Sequence, residues 1–233
     1  MKRIGIVGGL GPEPTVDYYR TVIDSFRKRF ETNNTPEIVI YSLNLQAFLL
    51  MMETGQKERP VDYITGAMIS LYRAGADFAL IAAGTPDIFL DEIRHSSPIP
   101  ILSIVEETAR VVSKRKWKRF GLFGTKFTMQ ADLYPRVFSQ DGMSVFVPRT
   151  EEQDYIHGKL VGELQFGRVL GATRRGLLDI VKRMKEEDKI QGLILGCTEL
   201  PLILKEGAFG IPFFNTTKIH AESAVDWCLL NRE

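Results

Sequence analysis

Gly192-Leu193-Ile194-Leu195-Gly196-Cys197-Thr198-Glu199-Leu200 spells a strand, a turn and a helix start within nine residues. The apolar run reads as a buried strand of a parallel sheet, and Gly196 lets the backbone turn sharply. Cys197, Thr198 and Glu199 then open what reads as a helix. A thiol there is expected among unpaired helix N–H groups, which favour negative charge and lower its pKa. The only other cysteine, Cys228, lies on an apolar helical face with Ile219, Ala221, Ala224 and Val225 and reads as core.

Outward from that stretch the chain alternates strands and helices. Residues 3–8 predict a strand that ends in Gly8-Gly9-Leu10-Gly11-Pro12. Pro12 and Pro14 suit a first helical turn, and Val16, Tyr19, Val22, Ile23 and Phe26 recur at helical spacing over 14–30. Strands follow at 37–41, 78–82 and 99–102, with a helix near 60–74 carrying Ile64, Met68, Leu71 and Tyr72 on one face and a loop before it. The pattern restarts at Phe120-Gly121-Leu122-Phe123-Gly124-Thr125. Helices are then expected at 131–141, 151–166, 168–187 and 217–230, and strands at 143–147, at the Cys197 strand and at 213–215.

Gly8 precedes Ala83 by about 75 residues and Gly124 precedes Cys197 by about 73, a repeat. Both later positions end an apolar strand and enter a Thr-bearing turn, Ala82-Ala83-Gly84-Thr85 and Gly196-Cys197-Thr198. The fold class is therefore α/β, with two similar parallel-sheet domains related by a pseudo-two-fold duplication. The first domain is expected at 1–108 plus 213–233 and the second at 109–212. Ligands bind at the carboxyl ends of parallel strands, so the active-site cleft is expected between the domains.

Composition narrows the function. A formal net charge of +1 over 233 residues offers no electrostatic reason to expect nucleic acid or an anionic membrane. The basic run Ser113–Arg119 reads as the cationic end of a helix. Two cysteines make no disulfide framework, which fits a reducing cytoplasm. No apolar span approaches the roughly 18 residues of a transmembrane helix. No His/Cys/Asp cluster has metal-ligand spacing. Gly9–Pro14 lacks the third glycine of a dinucleotide fingerprint, and no acid follows the second strand to bind a ribose. His95 and His157 read as surface residues, and His220 as structural.

The chain resembles the cofactor-independent aspartate/glutamate racemases over nearly its whole length. The marks are Ile4-Gly5-Ile6-Val7-Gly8-Gly9 with Gly11-Pro12, Gly124-Thr125-Lys126-Phe127-Thr128-Met129, Leu195-Gly196-Cys197-Thr198-Glu199, and Ile219-His220-Ala221-Glu222. The resemblance implies a homodimer, no cofactor, and a small amino-acid or related carboxylate ligand. In that family two cysteines work on opposite faces of the α-carbon, one removing a proton and the other returning one. It implies that Cys197 is one of the pair, that Gly84, Thr85, Thr125, Thr198 and Glu199 meet the substrate, and that Gly8, Gly9 and Leu10 shape one wall.

The first half-site departs from the pattern. Where the family has Cys-Asn-Thr this chain has Ala83-Gly84-Thr85, and a methyl group carries no proton. The two basic positions that hold a substrate's side-chain carboxylate fall near Leu49 or Met52 and at Gln165, none cationic. Asp87, just beyond Thr85, is a candidate substitute acid, though a carboxylate there also reads as a cap. Three functions follow: a racemase homologue using Cys197, a one-base decarboxylase of the arylmalonate type, and a carboxylate-binding protein without catalysis.

Overall fold

A computed structural model of the chain describes residues 1–30, 33–53 and 55–230. The chain divides into two compact units, Met1–Glu107 with Thr217–Glu233, and Thr108–Thr216. The division falls within α5, defined below.

In the first unit β1 (Ile4–Gly8) leads into α1 (Pro12–Phe30), β2 (Ile38–Ser42), α2 (Leu45–Glu53), α3 (Glu58–Arg73) and β3 (Phe78–Ile81). A 3-10 turn (Thr85–Phe89), α4 (Leu90–Ser96), β4 (Ile101–Leu102) and α5 (Ile104–Ser113) follow. The strands pair in parallel in the order β2-β1-β3-β4. β1 and β3 are buried throughout, as central strands covered on both faces must be. α1 buries Tyr18, Val22, Ile23 and Phe26, but Val16 and Tyr19 of its expected apolar face are exposed. Its apolar stripe is thus wider than the face it buries. α3 behaves similarly, with Ile64, Met68 and Leu71 buried and Tyr72 exposed.

In the second unit β5 (Arg119–Phe123) leads into α6 (Lys126–Gln130), α7 (Leu133–Ser139), β6 (Ser144–Phe146) and α8 (Thr150–Gly162). A 3-10 turn (Leu164–Phe166), α9 (Gly171–Glu187), β7 (Gly192–Leu195), α10 (Leu200–Ile203) and β8 (Phe213–Asn215) complete it. Its sheet is also parallel and runs β6-β5-β7-β8, the first order repeated with β5 for β1 and β7 for β3. The two four-stranded sheets with flanking helices make the α/β fold that the repeat implied. α11 (Thr216–Leu229) closes the description and packs Ala221, Ala224, Val225 and Cys228 into the core of the first unit with Tyr18, Val22 and Phe26.

Three features differ from expectation. β8 pairs with β7, Leu193 beside Phe213, so residues 213–215 complete the second sheet instead of returning to the first. The chain returns at Thr217, once that strand is satisfied. α2 occupies what reads as loop, because Leu45-Gln46-Ala47-Phe48-Leu49-Leu50-Met51-Met52 is too uniformly apolar to show a helical period. The helix expected at 151–166 stops at Gly162 and a short 3-10 turn follows. Residues 114–118 of the basic run lie just past the end of α5, and Arg119 opens β5. Among the described residues no helix is long and apolar enough to cross a membrane.

Candidate active site

β5 and β7 are neighbours, so their carboxyl ends bring Thr125 and Cys197–Glu199 to one end of the second sheet. Thr125 caps α6, its hydroxyl oxygen accepting from the Thr128 N–H at 3.2 Å and sharing a 3.0 Å hydrogen bond with the Thr128 hydroxyl. Beyond β7 the Gly196 N–H donates to the Phe123 carbonyl at 2.7 Å. A Cβ on Gly196 would stand 2.9 Å from Leu122 Cδ1 and 3.1 Å from the Phe123 oxygen. The glycine is needed for close approach to β5, not for an unusual φ.

Cys197 is half-buried and packs against the core of the second unit. Its Sγ–H donates to Glu199 Oε2 at 2.9 Å, and the Thr198 hydroxyl donates to the same oxygen at 2.9 Å. This corrects the expected electrostatics. Cys197–Glu199 form a turn, and the helix begins only at Leu200 and lasts four residues. So short a helix offers little dipole. Burial and the Glu199 carboxylate push the Cys197 thiol well above its ordinary pKa, against the weaker pull of the Glu199 and Thr198 N–H groups. At rest the sulfur therefore holds its proton, and a carboxylate stands ready to receive it.

The first unit has an equivalent end, where neighbouring β1 and β3 run out into Gly8-Gly9-Leu10 and Ala83-Gly84-Thr85. Gly9 has φ +83°, and a Cβ there would meet the Leu43 carbonyl oxygen at 2.1 Å. The Gly9 N–H donates to Thr15 Oγ1 at 2.9 Å, and that hydroxyl donates to the Gly11 carbonyl at 2.9 Å. Thr15 thus fixes the glycine turn, and sequence reading passed over it. Its only signal was a threonine in the first helical turn after the glycines. At β3 the Ala82 N–H donates to the Val7 carbonyl at 2.8 Å, the counterpart of the Gly196 bond. That equivalence makes Ala83 the counterpart of Cys197, and it presents a buried methyl.

Asp87 is 2% exposed and accepts from the Ser103 hydroxyl at 2.6 Å. Ser103 Oγ in turn accepts from the Val105 and Glu106 N–H groups, each at 3.2 Å, at the start of α5. Burial raises the Asp87 pKa to about 6, although the Ser103 and Val105 hydrogen bonds pull it down. The carboxyl ties the turn after β3 to α5. His220 is also buried, with Nδ1 2.9 Å from the Tyr18 hydroxyl and Nε2 3.0 Å from the Leu102 carbonyl. A carbonyl only accepts, so Nε2 carries the proton and Tyr18 donates to Nδ1. Burial lowers the His220 pKa to about 4, and the neutral ring joins three elements of the first unit.

Leu49 is exposed on α2, Met52 packs against the first unit's core, and Gln165 is exposed. Glu163 accepts from Lys159 Nζ at 2.5 Å and from the Thr173 hydroxyl, joining α8 to α9. Among the described residues no group of three His, Cys, Asp or Glu side chains could hold a metal ion.

The family model described as Asp/Glu/Hydantoin racemase matches residues 7–224. The chain belongs to that family. It is 25% identical over 231 residues to the broad specificity amino-acid racemase RacX of Bacillus subtilis, covering 95% of this chain and 96% of the relative. The crystal structure of an aspartate racemase homologue from Pyrococcus horikoshii is 34% identical with a TM-score of 0.88, covering 98% of this chain and 99% of that one. The aspartate racemase of Picrophilus torridus shares the fold, with a TM-score of 0.76 at 20% identity over 98% and 94% of the two chains. For a member of the Asp/Glu/Hydantoin racemase family, the two strand ends here are chemically unequal. The β7 end carries a thiol, a hydroxyl and a carboxylate in one network, whereas the β3 end carries a methyl.

Proposed function

We propose that the chain moves a proton at the α-carbon of a small amino acid or related carboxylate, with Cys197 as its acid–base group. The observation that carries this reading is the Cys197–Glu199–Thr198 network at a strand end of a racemase-family chain. As a base, Cys197 first passes its thiol proton to Glu199 and then takes the α-proton onto sulfur. As an acid, the thiol returns a proton to the α-carbanion and Glu199 reloads it. Thr125, Thr198, Gly84 and Thr85 hold the ligand carboxylate, with Gly8, Gly9 and Leu10 shaping a wall, as the family resemblance implies. The same resemblance carries a homodimer.

Glu199 is better suited to serving the thiol than to holding a carboxylate, since like charges repel. Ala83 supplies no proton on the other face, and Asp87 is committed to Ser103. Inversion then draws its second proton from water and is slow. Deuterium wash-in at the α-carbon from heavy water, across a panel of amino acids, tests the reading. Wash-in that disappears in Cys197→Ser supports it; no wash-in for any amino acid overturns it.

One observation favours a second reading. Of the equivalent positions Ala83 and Cys197 only the second carries a transferable proton, and decarboxylation of a substituted malonate needs just one protonation. Carbon dioxide release from substituted malonates, lost in Cys197→Ser, marks that activity.

A further inference from the structure

α2 is apolar at seven of its nine positions, yet only Phe48 is buried. A helix that is apolar nearly all round is normally enclosed. Its place in the first unit is set by the residues just before it. The Leu43 N–H donates to the Gly8 carbonyl at 2.9 Å, and the Leu43 carbonyl crowds Gly9. α2 starts two residues later, so it begins at the carboxyl ends of β1 and β2. Ala83, Phe48 and Val7 belong to one apolar cluster, and Leu10, Leu43 and Met52 pack against it. The methyl that stands where the other sheet has Cys197 therefore shares its core with α2 and the glycine turn. At about 100° per residue, Leu45, Leu49 and Met52 fall within about 60° of one another, on one flank of Phe48. Leu49 is 45% exposed, and Leu50, also exposed, lies about 100° further round.

Charge completes the picture. Residues 4–19, 38–56, 74–93 and 96–109 carry the four strands of this sheet and the turns beyond them. These segments contain no lysine, arginine or histidine, and they include Glu13, Glu53 and Asp87. Lys57 and Arg94, the first cations after α2 and after the β3 turn, are already paired. Lys57 Nζ meets Glu92 at 3.1 Å, and the Arg94 guanidinium holds both oxygens of Glu106 at 2.6 Å. A carboxylate side chain brought to this end would lose water and gain no cation, which is costly. Nor does the wall offer an acid to an ammonium group. Glu13 and Glu53 stand exposed to water, and Asp87 is buried in its bond to Ser103. An apolar side chain loses nothing there and covers the open flank of Leu49.

We propose that α2 makes this chain selective for amino acids with an uncharged, apolar side chain and turns aspartate and glutamate away. Leu49 and Met52, with Leu10 beside them on the glycine turn, form the wall that the side chain meets. This rests on the proton-transfer reading above and adds the class of substrate. The selectivity is a difference of two terms: burial favours the apolar side chain, and desolvation without a partner penalises the charged one.

Two measurements on the full chain test it with L-leucine, L-methionine, L-aspartate, L-glutamate and L-lysine. Calorimetry reads binding without any chemistry, and deuterium wash-in reads exchange at the α-carbon. Leucine or methionine should bind, and should exchange, at least about 100-fold better than aspartate or glutamate. Leu49→Arg should shrink that ratio at least about 10-fold, raising aspartate and lowering leucine. Leu50→Arg puts the same charge on another side of the same helix and should leave the ratio unchanged. Circular dichroism checks that each variant folds, and the parent's panel decides the matter if Leu49→Arg does not. Selective binding of leucine or methionine with no wash-in overturns proton transfer and leaves the selectivity standing. Wash-in with aspartate, glutamate or lysine as fast as with leucine overturns the selectivity and leaves proton transfer standing. Binding of none of the five overturns both. A ratio that Leu49→Arg does not move, or that Leu50→Arg moves as far, overturns α2 as its source.

Discussion

At the end of β3 the chain reads Ala82-Ala83-Gly84-Thr85, and at the end of β7 it reads Gly196-Cys197-Thr198-Glu199. The backbones are equivalent, each strand prolonged by one hydrogen bond to the neighbouring central strand, from Ala82 to Val7 and from Gly196 to Phe123. The chemistry is not equivalent. One end gathers a thiol and a hydroxyl onto a single carboxylate oxygen, and the other places its nearest carboxyl, Asp87, in a buried bond to Ser103. A duplicated scaffold thus keeps its geometry where backbone hydrogen bonds and core packing demand it, while the side chains at the strand ends are free to diverge.

The largest effect comes from making the ends alike by loss. Cys197→Ser should reduce α-proton exchange by at least about 1000-fold, measured by deuterium wash-in, because a hydroxyl is far too weak an acid to replace the thiol. Making them alike by gain is the converse. Ala83→Cys should raise interconversion of enantiomers by about 100-fold, read by chiral chromatography, and no gain would show that the β3 end does not meet the ligand. Glu199→Gln removes the charge that opposes the thiolate, so the Cys197 pKa should fall, followed by ultraviolet absorbance of the thiolate during a pH titration.

Two buried groups of the first unit sharpen the comparison through pH. Asp87 has its pKa raised from 3.8 to about 6, so its contribution to stability is full below about pH 4 and is lost as pH rises through 6. His220 has its pKa lowered from 6.5 to about 4, so its contribution is full above 6.5 and is lost as pH falls toward 4. Each is worth up to about 3 kcal/mol, and in the parent they oppose each other across one window. Asp87→Asn should make the parent's stability fall more steeply between pH 6.5 and 4, and His220→Gln less steeply, measured by urea unfolding. The smallest effect is Cys228→Ala, which removes a buried sulfur from the first unit's core. It should cost about 1 kcal/mol and leave proton exchange unchanged.

Much of this was legible in the chain. The apolar strands, the helix with prolines in its first turn and the restart at Phe120 reported two similar parallel sheets, because buried parallel strands leave nearly continuous apolar runs, while the strand order came only from the structure. The family marks pointed to Cys197 and to the missing partner at Ala83. Short elements were hidden: α2 is apolar on every side, and α6 and α10 span five and four residues, too few to show a period. Val16 and Tyr19 carried the helical spacing of a core face and are exposed, because periodicity reports an apolar stripe and not how much of it a neighbour covers.

By itself the amino-acid sequence determined the α/β class, the duplication, the family and the residues at each strand end, since all of these are written in local pattern and residue identity. Only the tertiary structure decided the state of the thiol, the strand that closes the second sheet and the roles of Asp87, Thr15 and His220. Those depend on which groups distant in the chain, or turned by a bend, come within hydrogen-bonding distance and lose water. The direction of the Cys197 pKa was decided there too, where burial and one carboxylate outweigh a helix start too short to help.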